Sequence, residues 1–212
     1  MANVKLSAAE IDLVKNSHFI LTKNKIINYV YELFGRLTNK YIYELEVNNN
    51  IPKEVLSVSP KISRGENLEG LPWVMLDYPR FFNQEDVFAI RTLFWWGNFF
   101  SITLHLKGKY CNNKITEAFA KDWSICINED EWRNDFETDN YKALSDCTNT
   151  TVENLKFIKI AKRVSLDNWE NAELILMREL KEINTIIKNA TQIVIAIAIG
   201  INSFIYLPLL FV

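Results

Sequence analysis

The chain has 212 residues, of which 49% are hydrophobic and 13% aromatic, and this content is enough to bury one sizeable core. Its 24 basic and 26 acidic residues give a formal net charge of −2, so the sequence builds in no general electrostatic attraction to nucleic acid. We therefore expect a folded protein that does not bind nucleic acid.

The N-terminal quarter predicts two helices. Ser7 and Glu10 form the S-x-x-E pattern of a capping box, in which each residue satisfies a free amide at a helix start. From residue 22 to about residue 46 the apolar residues recur at steps of three or four and form one stripe, which predicts a long amphipathic helix. The stripe consists of Ile27, Val30, Phe34, Leu37, Tyr41 and Leu45. For residues 55–70 we expect a loop with one short strand near residues 61–63, because Pro and Gly interrupt this polar segment.

Residues 71–108 form a dense apolar and aromatic segment, which predicts a β-hairpin with its turn at Gly97-Asn98. A two-residue turn would place Arg91 opposite Leu104 and Ile90 opposite His105. One face of the hairpin would then be an apolar core face. That face would carry Val87, Ala89, Leu93, Trp95, Phe100, Ile102, Leu104 and Leu106, with Arg91 as the exception.

An unpaired Arg91 within an apolar face would cost several kcal/mol, so the sequence predicts an anionic partner for it. Asp77, in the preceding strand-like stretch, is the nearest candidate, and we predict an ion pair between Asp77 and Arg91. In the alternative, only the aliphatic part of Arg91 is buried and the guanidinium reaches solvent at the rim of the sheet.

Beyond the hairpin, the spacing predicts a helix over residues 112–122 and a short strand over 124–127. The acidic stretch 128–140 lacks the Gly and the spacing of a calcium-binding loop, and we expect it to be a solvated loop. Residues 157–165 fit either a helix or a strand. A second long helix follows, capped by Asp167, with an apolar stripe from Trp169 to Ile187.

These elements define an α+β fold: an antiparallel sheet built around a central β-hairpin and flanked by two long amphipathic helices. We expect residues 1–190 to form a single domain and residues 191–212 to form an apolar C-terminal tail.

The tail contains no charge after Lys188, and residues 193–212 are long enough for a helix to cross a bilayer. With no apolar stretch of signal-peptide length at the N-terminus, we expect a cytoplasmic body anchored to the inner membrane by its C-terminus. Two alternatives stay open at this stage. The alternation from Ile193 to Ile199 also fits a buried last strand, and a truncated or frame-shifted gene would produce a similarly abrupt end.

Catalytic and metal-binding patterns are missing from the sequence. The three cysteines are far apart and only two histidines are present, so neither a disulfide framework nor a zinc site is indicated. No Gly-rich phosphate loop and no G-x-S-x-G motif is found. We expect no metal and no cofactor, and we consider an enzyme less well supported than a binding protein.

Two hypotheses remain for the function. The first is a non-enzymatic binding or scaffolding module that contacts a protein partner through the aromatic residues Phe94, Trp96 and Phe99 near the hairpin turn. The second is a site for a small molecule or an anion, enzymatic or not, for which a concave pocket is required. The residues predicted for that ligand-binding site are Asp77, Arg80, Arg91 and His105. Arg80 follows Pro79, and we expect it to leave the strand for a loop.

The block from LPWVMLDYPRFF to FAIRTLFWWGNFFSITLHLKG resembles a stretch of small uncharacterised bacterial proteins, over about residues 60–110. The resemblance implies a bacterial origin and a folded family, and it implies no activity.

Overall fold

The computed structural model of the protein describes residues 4–148, 152 and 154–205, with the backbone alone described for residues 191–205. In this part of the chain seven strands form one antiparallel sheet, in the order β1-β2-β3-β4-β7-β5-β6. The strands are β1 (Lys61–Leu68), β2 (Leu71–Phe82), β3 (Val87–Trp95), β4 (Phe99–Lys107), β5 (Ser124–Cys126), β6 (Tyr141–Ala143) and β7 (Phe157–Ser165). The helices are α1 (Ala8–Lys15), α2 (Ser17–Glu46), α3 (Lys53–Leu56) and α4 (Ala172–Ile205). The α+β class predicted from the sequence is confirmed.

The hairpin of β3 and β4 has a different register from the one predicted. Trp95 pairs with Phe99, so the loop contains three residues rather than two, and Gly97 in its middle has a φ of +72°. The Trp96 amide donates to the carbonyl of Pro72 on β2, 2.9 Å away, instead of pairing with β4. Arg91 therefore lies opposite Thr103, and the predicted pairing with Leu104 is wrong.

The shift by one residue exchanges the two faces of β3, because successive side chains of a strand point to opposite sides. On the first face, Phe94 and Ile90 share the main core with Ile102 and Leu104 of β4. Ala89, Arg91, Leu93 and Trp95 point to the second face, so their predicted place on one face with Ile102 and Leu104 is wrong. Both faces are buried, which is why the apolar pattern alone did not distinguish them.

The first face of the sheet is covered by α2 and α4. All six residues of the stripe predicted for α2 are buried, as are Ala172, Leu176, Leu180, Ile183 and Ile187 of α4. Glu173 near the start of α4 pairs with Arg36, and Asn184 farther along bonds to Asn48 just after α2. Because the residue numbers rise together on both elements, α2 and α4 run parallel. The start of α2 and the end of α4 therefore project from opposite ends of the body.

The segments before and after α2 contain one confirmed prediction and two corrections. The capping box of Ser7 and Glu10 is present at the start of α1. Residues 61–68 form the full strand β1 where we expected a loop with a short strand. Arg80, which we expected to leave the strand for a loop after Pro79, lies within β2 and pairs with Ala89.

Three later segments differ from the prediction or resolve an alternative. Residues 113–118 form a 3₁₀ turn instead of the α-helix predicted over 112–122. Residues 157–165, left open between helix and strand, form β7. A 3₁₀ turn over Leu166–Asn171, capped by Ser165, precedes α4, so Asp167 does not cap an α-helix.

The C-terminal segment is helical as far as Ile205, so the alternative of a buried last strand does not apply to residues 193–205. Residues 206–212, the rest of the predicted membrane span, lie outside the described residues. Within the described part of the chain, no helix meets the length and hydropathy needed to cross a membrane.

Candidate functional site

The second face of the sheet is covered by the acidic loop, which we define as residues 128–140 between β5 and β6. Two aromatic residues of this loop pack on the sheet side chains. The ring of Phe136 stacks on Tyr141 with 4.4 Å between centroids, and the ring of Trp132 lies 5.6 Å from that of His105. The predicted solvated loop is therefore only partly right, because the loop also forms a lid over a sheet face.

Below this loop the predicted ion pair is present. The Nε of Arg91 donates to Oδ1 of Asp77 at 2.8 Å, and the two side chains are only 15% and 10% exposed. The guanidinium also lies 5.8 Å from the ring centroid of Phe82 and 5.6 Å from that of Trp132, within the range of cation–π attraction. The charge of Arg91 is thus satisfied within the protein, and the alternative of a guanidinium held in solvent at the rim is not observed.

The fully buried His105 is the second polar group on this face. Its Nε2 lies 3.0 Å from a carboxylate oxygen of Glu131, whose other oxygen accepts from Lys107 at 2.6 Å. Burial, together with the positive charges of Lys159, Arg91 and Lys107, lowers the pKa of His105 to about 3. At neutral pH the ring is uncharged and carries one proton. Because a carboxylate oxygen can only accept, this proton lies on Nε2, which donates a hydrogen bond to Glu131. Nδ1 is then an acceptor, and it has no hydrogen-bond partner among the described residues.

Lys159 on β7 holds the backbone of the acidic loop. Its side chain is almost fully buried, and Nζ donates to the carbonyl oxygens of Glu131, at 2.9 Å, and Arg133. Burial lowers the pKa of Lys159 to about 8. Neither Lys159 nor Glu131 was among the residues predicted for a site. The only signal was a lysine in the middle of the apolar segment FIKIAKRVS, and its partners lie 26 to 28 residues away in the chain.

The structure brings three of the four predicted ligand-binding residues into one group of contacts. Asp77 pairs with Arg91, and Trp132 contacts both Arg91 and His105. Arg80 instead donates through Nε to the carbonyl of Ser59 at 2.6 Å. A neutral imidazole beside a carboxylate can accept a proton, but His105 is enclosed, so a substrate would reach it only if the acidic loop moved.

Surface grooves lie elsewhere on the molecule. One of about 270 Å³ separates α2 from the start of α4 and is lined by Tyr29, Arg36 and Trp169, among others. Another of about 200 Å³ lies beside Tyr110 and Ile187, near the point where α4 leaves the body. A shallow apolar depression of about 380 Å³ lies on the outer side of α4. A groove of about 260 Å³ lies between the residues just after β5 and those that lead into β7. Arg91 and His105 line none of these four.

The aromatic residues near the hairpin turn do not form an exposed patch. Phe94 and Phe99 are 2% and 8% exposed, and Trp96 is half-buried against the main core. The predicted contact surface at the hairpin tip is therefore wrong. The helices and the acidic loop cover the two faces of the hairpin, and its aromatic residues belong to the cores below.

Apolar exposure is concentrated instead in the N-terminal arm, which we define as residues 4–26, comprising α1 and the first turns of α2. Helix α1 has no buried residue, and on α2 burial begins at Ile27. Eight large apolar side chains of the arm are between 39% and 87% exposed. They are Val4, Leu6, Ile11, Leu13, Val14, Phe19, Ile20 and Leu21.

No group of His, Cys, Asp and Glu side chains suited to a metal ion occurs among the described residues. The three cysteines are free thiols, and of these only Cys126 is fully buried.

A comparison of the chain with protein-family models, curated proteins and solved structures found no match. The resemblance of residues 60–110 to small bacterial proteins therefore stays a prediction, and the function has to be argued from the structure itself.

Proposed function

We propose that the protein is a non-enzymatic binding module that contacts a protein partner through its N-terminal arm. The observation that carries this proposal is the set of eight exposed apolar side chains on the arm. Single exposed apolar residues are ordinary on protein surfaces, whereas a concentration of them in one short segment is typical of an interaction site. The arm projects from the body formed by the sheet and its two covering helices.

The proposal also includes a tether. The sequence from residue 193 to residue 212 is apolar and uncharged, and α4 leads toward it from the end of the body opposite to the arm. Attachment of this segment to the inner face of a membrane would leave the arm directed away from the lipid. The N-terminal arm would then be available to partners in the cytoplasm.

A ligand site around Asp77, Arg91 and His105 is a less well supported alternative. Arg91 is already paired with Asp77, and His105 is fully enclosed below the acidic loop. An anion would have to displace an internal ion pair, and no groove described above opens onto these side chains.

Site-specific photo-cross-linking in cells tests the protein-binding function. A photoreactive phenylalanine analogue replaces Leu13 on the arm, and in a matched control it replaces Leu174 on the outer side of α4. Both positions are well exposed, at 60% and 72%. We expect a discrete protein adduct from position 13 and none from position 174. If position 13 gives no adduct, or if both positions give the same adducts, the arm is not the binding surface.

Carbonate extraction of membranes tests the tether independently. The full chain should remain with the membrane pellet, and a variant with lysines at Ile197 and Ile201 should move to the supernatant, because each central lysine costs about 2.5 to 3.5 kcal/mol of insertion free energy. A tether is ruled out if the unmodified chain is extracted as readily as the double-lysine variant.

A further inference from the structure

We infer that the N-terminal arm pairs with the arm of a second copy of this chain, an inference that rests on the proposed function and specifies the partner. Five observations lead to this conclusion: the stability of α1, the size of the exposed surface, the lack of cover by the rest of the described chain, the distribution of the apolar side chains and the charges of α1.

Helix α1 lacks the contacts that would hold it in a single copy. It has eight residues, and no residue of it is buried. Isolated helices shorter than about 12 to 15 residues are only marginally stable in water, because nucleation is costly and few hydrogen bonds offset it. The capping box of Ser7 and Glu10 contributes about 1 kcal/mol, which does not remove this deficit. A stable α1 therefore needs a packing partner.

The exposed surface of the arm has the size of an interface. The eight exposed apolar side chains together present on the order of 800 Å², which is about the area that each partner contributes to a standard stable complex. The exposed area is therefore sufficient for a stable interface between two copies.

The rest of the same chain does not cover the arm in the described structure. Helices α2 and α4 run parallel, so α4 leads away from the arm. Lys23 on α2, which pairs with Glu66 of β1 at 2.7 Å, marks the place where the sheet begins to contact α2. The partner of residues 4–22 must therefore come from outside this body.

The distribution of the apolar side chains favours a helical partner on more than one side. Phe19, Ile20 and Leu21 are consecutive on α2, so they point about 100° apart around the helix, and all three are exposed. A single flat surface covers one side of such a helix. The arm of a second copy supplies two helical segments, α1 and the first turns of α2, which can surround it in an arrangement of four helices.

The charges of α1 are also complementary to those of a second copy. Glu10 and Asp12 lie in its first five residues, and Lys15 lies at its end. In an antiparallel pair related by a two-fold axis, Lys15 of each copy faces the acidic half of the other.

The test uses two full-length copies with different tags, expressed together in cells. One copy carries the photoreactive analogue at Leu13, and the other is unmodified. We expect an adduct that contains both tags. The yield should fall at least tenfold when the second copy carries Phe19→Glu and Ile20→Glu, because two charged side chains would then be placed in the paired arms.

The matched control replaces two apolar residues outside the arm that are more exposed than Phe19 and Ile20, with Val47→Glu and Leu174→Glu in the second copy. These side chains are 68% and 72% exposed, so the control adds the same charge at a comparable loss of apolar surface. The control should leave the yield unchanged. Blotting of total protein and a thermal shift assay confirm that all variants are present and folded.

The possible outcomes separate this inference from the proposed function. An adduct of Leu13 with a different protein, and none with the second tag, would overturn pairing between copies while supporting the binding module. An adduct with lipid alone, or no adduct, would overturn both. A mixed-tag adduct that is insensitive to the arm substitutions, or equally sensitive to the control, would mean that the copies associate through another surface.

Discussion

Replacing Asp77 with alanine removes the carboxylate that neutralises Arg91 inside the sheet. The two side chains are 10% and 15% exposed, so water replaces little of the lost interaction. Breaking a buried pair costs about 3 to 5 kcal/mol, because one charge remains buried without its partner. The rings of Phe82 and Trp132 remain near the guanidinium and offset part of this cost. We expect Asp77→Ala to lower the free energy of unfolding by about 3 kcal/mol.

The double variant Asp77→Ala with Arg91→Met separates the lost pair from the stranded charge. Replacing both members of a buried pair with apolar residues is often neutral. We therefore expect the double variant to recover to within about 1 kcal/mol of the unmodified protein. Glu66→Ala is the matched control, since Glu66 pairs with Lys23 at a similar distance but is 68% exposed. Its effect should stay below about 1 kcal/mol.

Urea unfolding followed by circular dichroism measures these differences. The midpoint concentration should shift in Asp77→Ala with an unchanged m-value, and the melting temperature should fall by roughly 6 to 12 °C for a chain of this size. Two results would refute the reasoning: a cost for Asp77→Ala no greater than that of the Glu66→Ala control, or a double variant less stable than Asp77→Ala alone.

Three further predictions concern single groups. Burial lowers the pKa of Lys159 to about 8 from 10.5, so the unfolded chain binds more protons than the folded chain between these pH values. Between pH 7.5 and 10 the free energy of unfolding of the unmodified protein should therefore rise by up to about 3 kcal/mol relative to that of Lys159→Met. Urea unfolding at both pH values measures this difference, and parallel pH profiles of the two proteins would contradict it. Burial also lowers the pKa of His105 to about 3 from 6.5, so the imidazole NMR signals of His105 should not shift between pH 8 and 4.5. The protein should lose stability as the pH falls below about 6.5, because the imidazole of the unfolded chain takes up a proton there. A titration midpoint of His105 near 6.5 would show that its ring is not held neutral by burial. Gly35→Ala should stabilise α2 by about 0.5 to 1 kcal/mol, because a Cβ at this position meets no other atom. Gly108→Ala should destabilise the protein by more than about 1 kcal/mol, because Gly108 has a φ of +62° and a Cβ would overlap Asp86. Thermal unfolding that ranks the two variants in the opposite order would refute this prediction.

The hairpin shows which features local sequence predicts and which it does not. The apolar strands and the turn near Gly97 follow from composition and from the need for a positive φ. The register was off by one residue, because the amide of Trp96 bonds to Pro72 on the neighbouring strand and adds a third residue to the loop. Local sequence carries no information about that long-range bond.

The polar groups on the second face also divide into contacts that the sequence predicts and contacts that depend on the tertiary structure. The ion pair between Asp77 and Arg91 was predictable, since a charge within an apolar strand requires an opposite charge and Asp77 was near in the sequence. The contacts of Glu131 with His105 and Lys159 were not predictable. They depend on the acidic loop folding back over a sheet face, and the loop composition by itself fits solvent equally well.

By itself the sequence determined the α+β class, the helix stripes, the place of the hairpin and the requirement of Arg91 for an anion, because periodicity and charge burial act through neighbouring residues. The tertiary structure alone decided which face each β3 side chain occupies, what covers the second face, and that the exposed apolar surface lies on the N-terminal arm rather than at the hairpin tip. These features depend on contacts between residues far apart in the chain, and whether an apolar side chain is buried or exposed depends on which element packs over it.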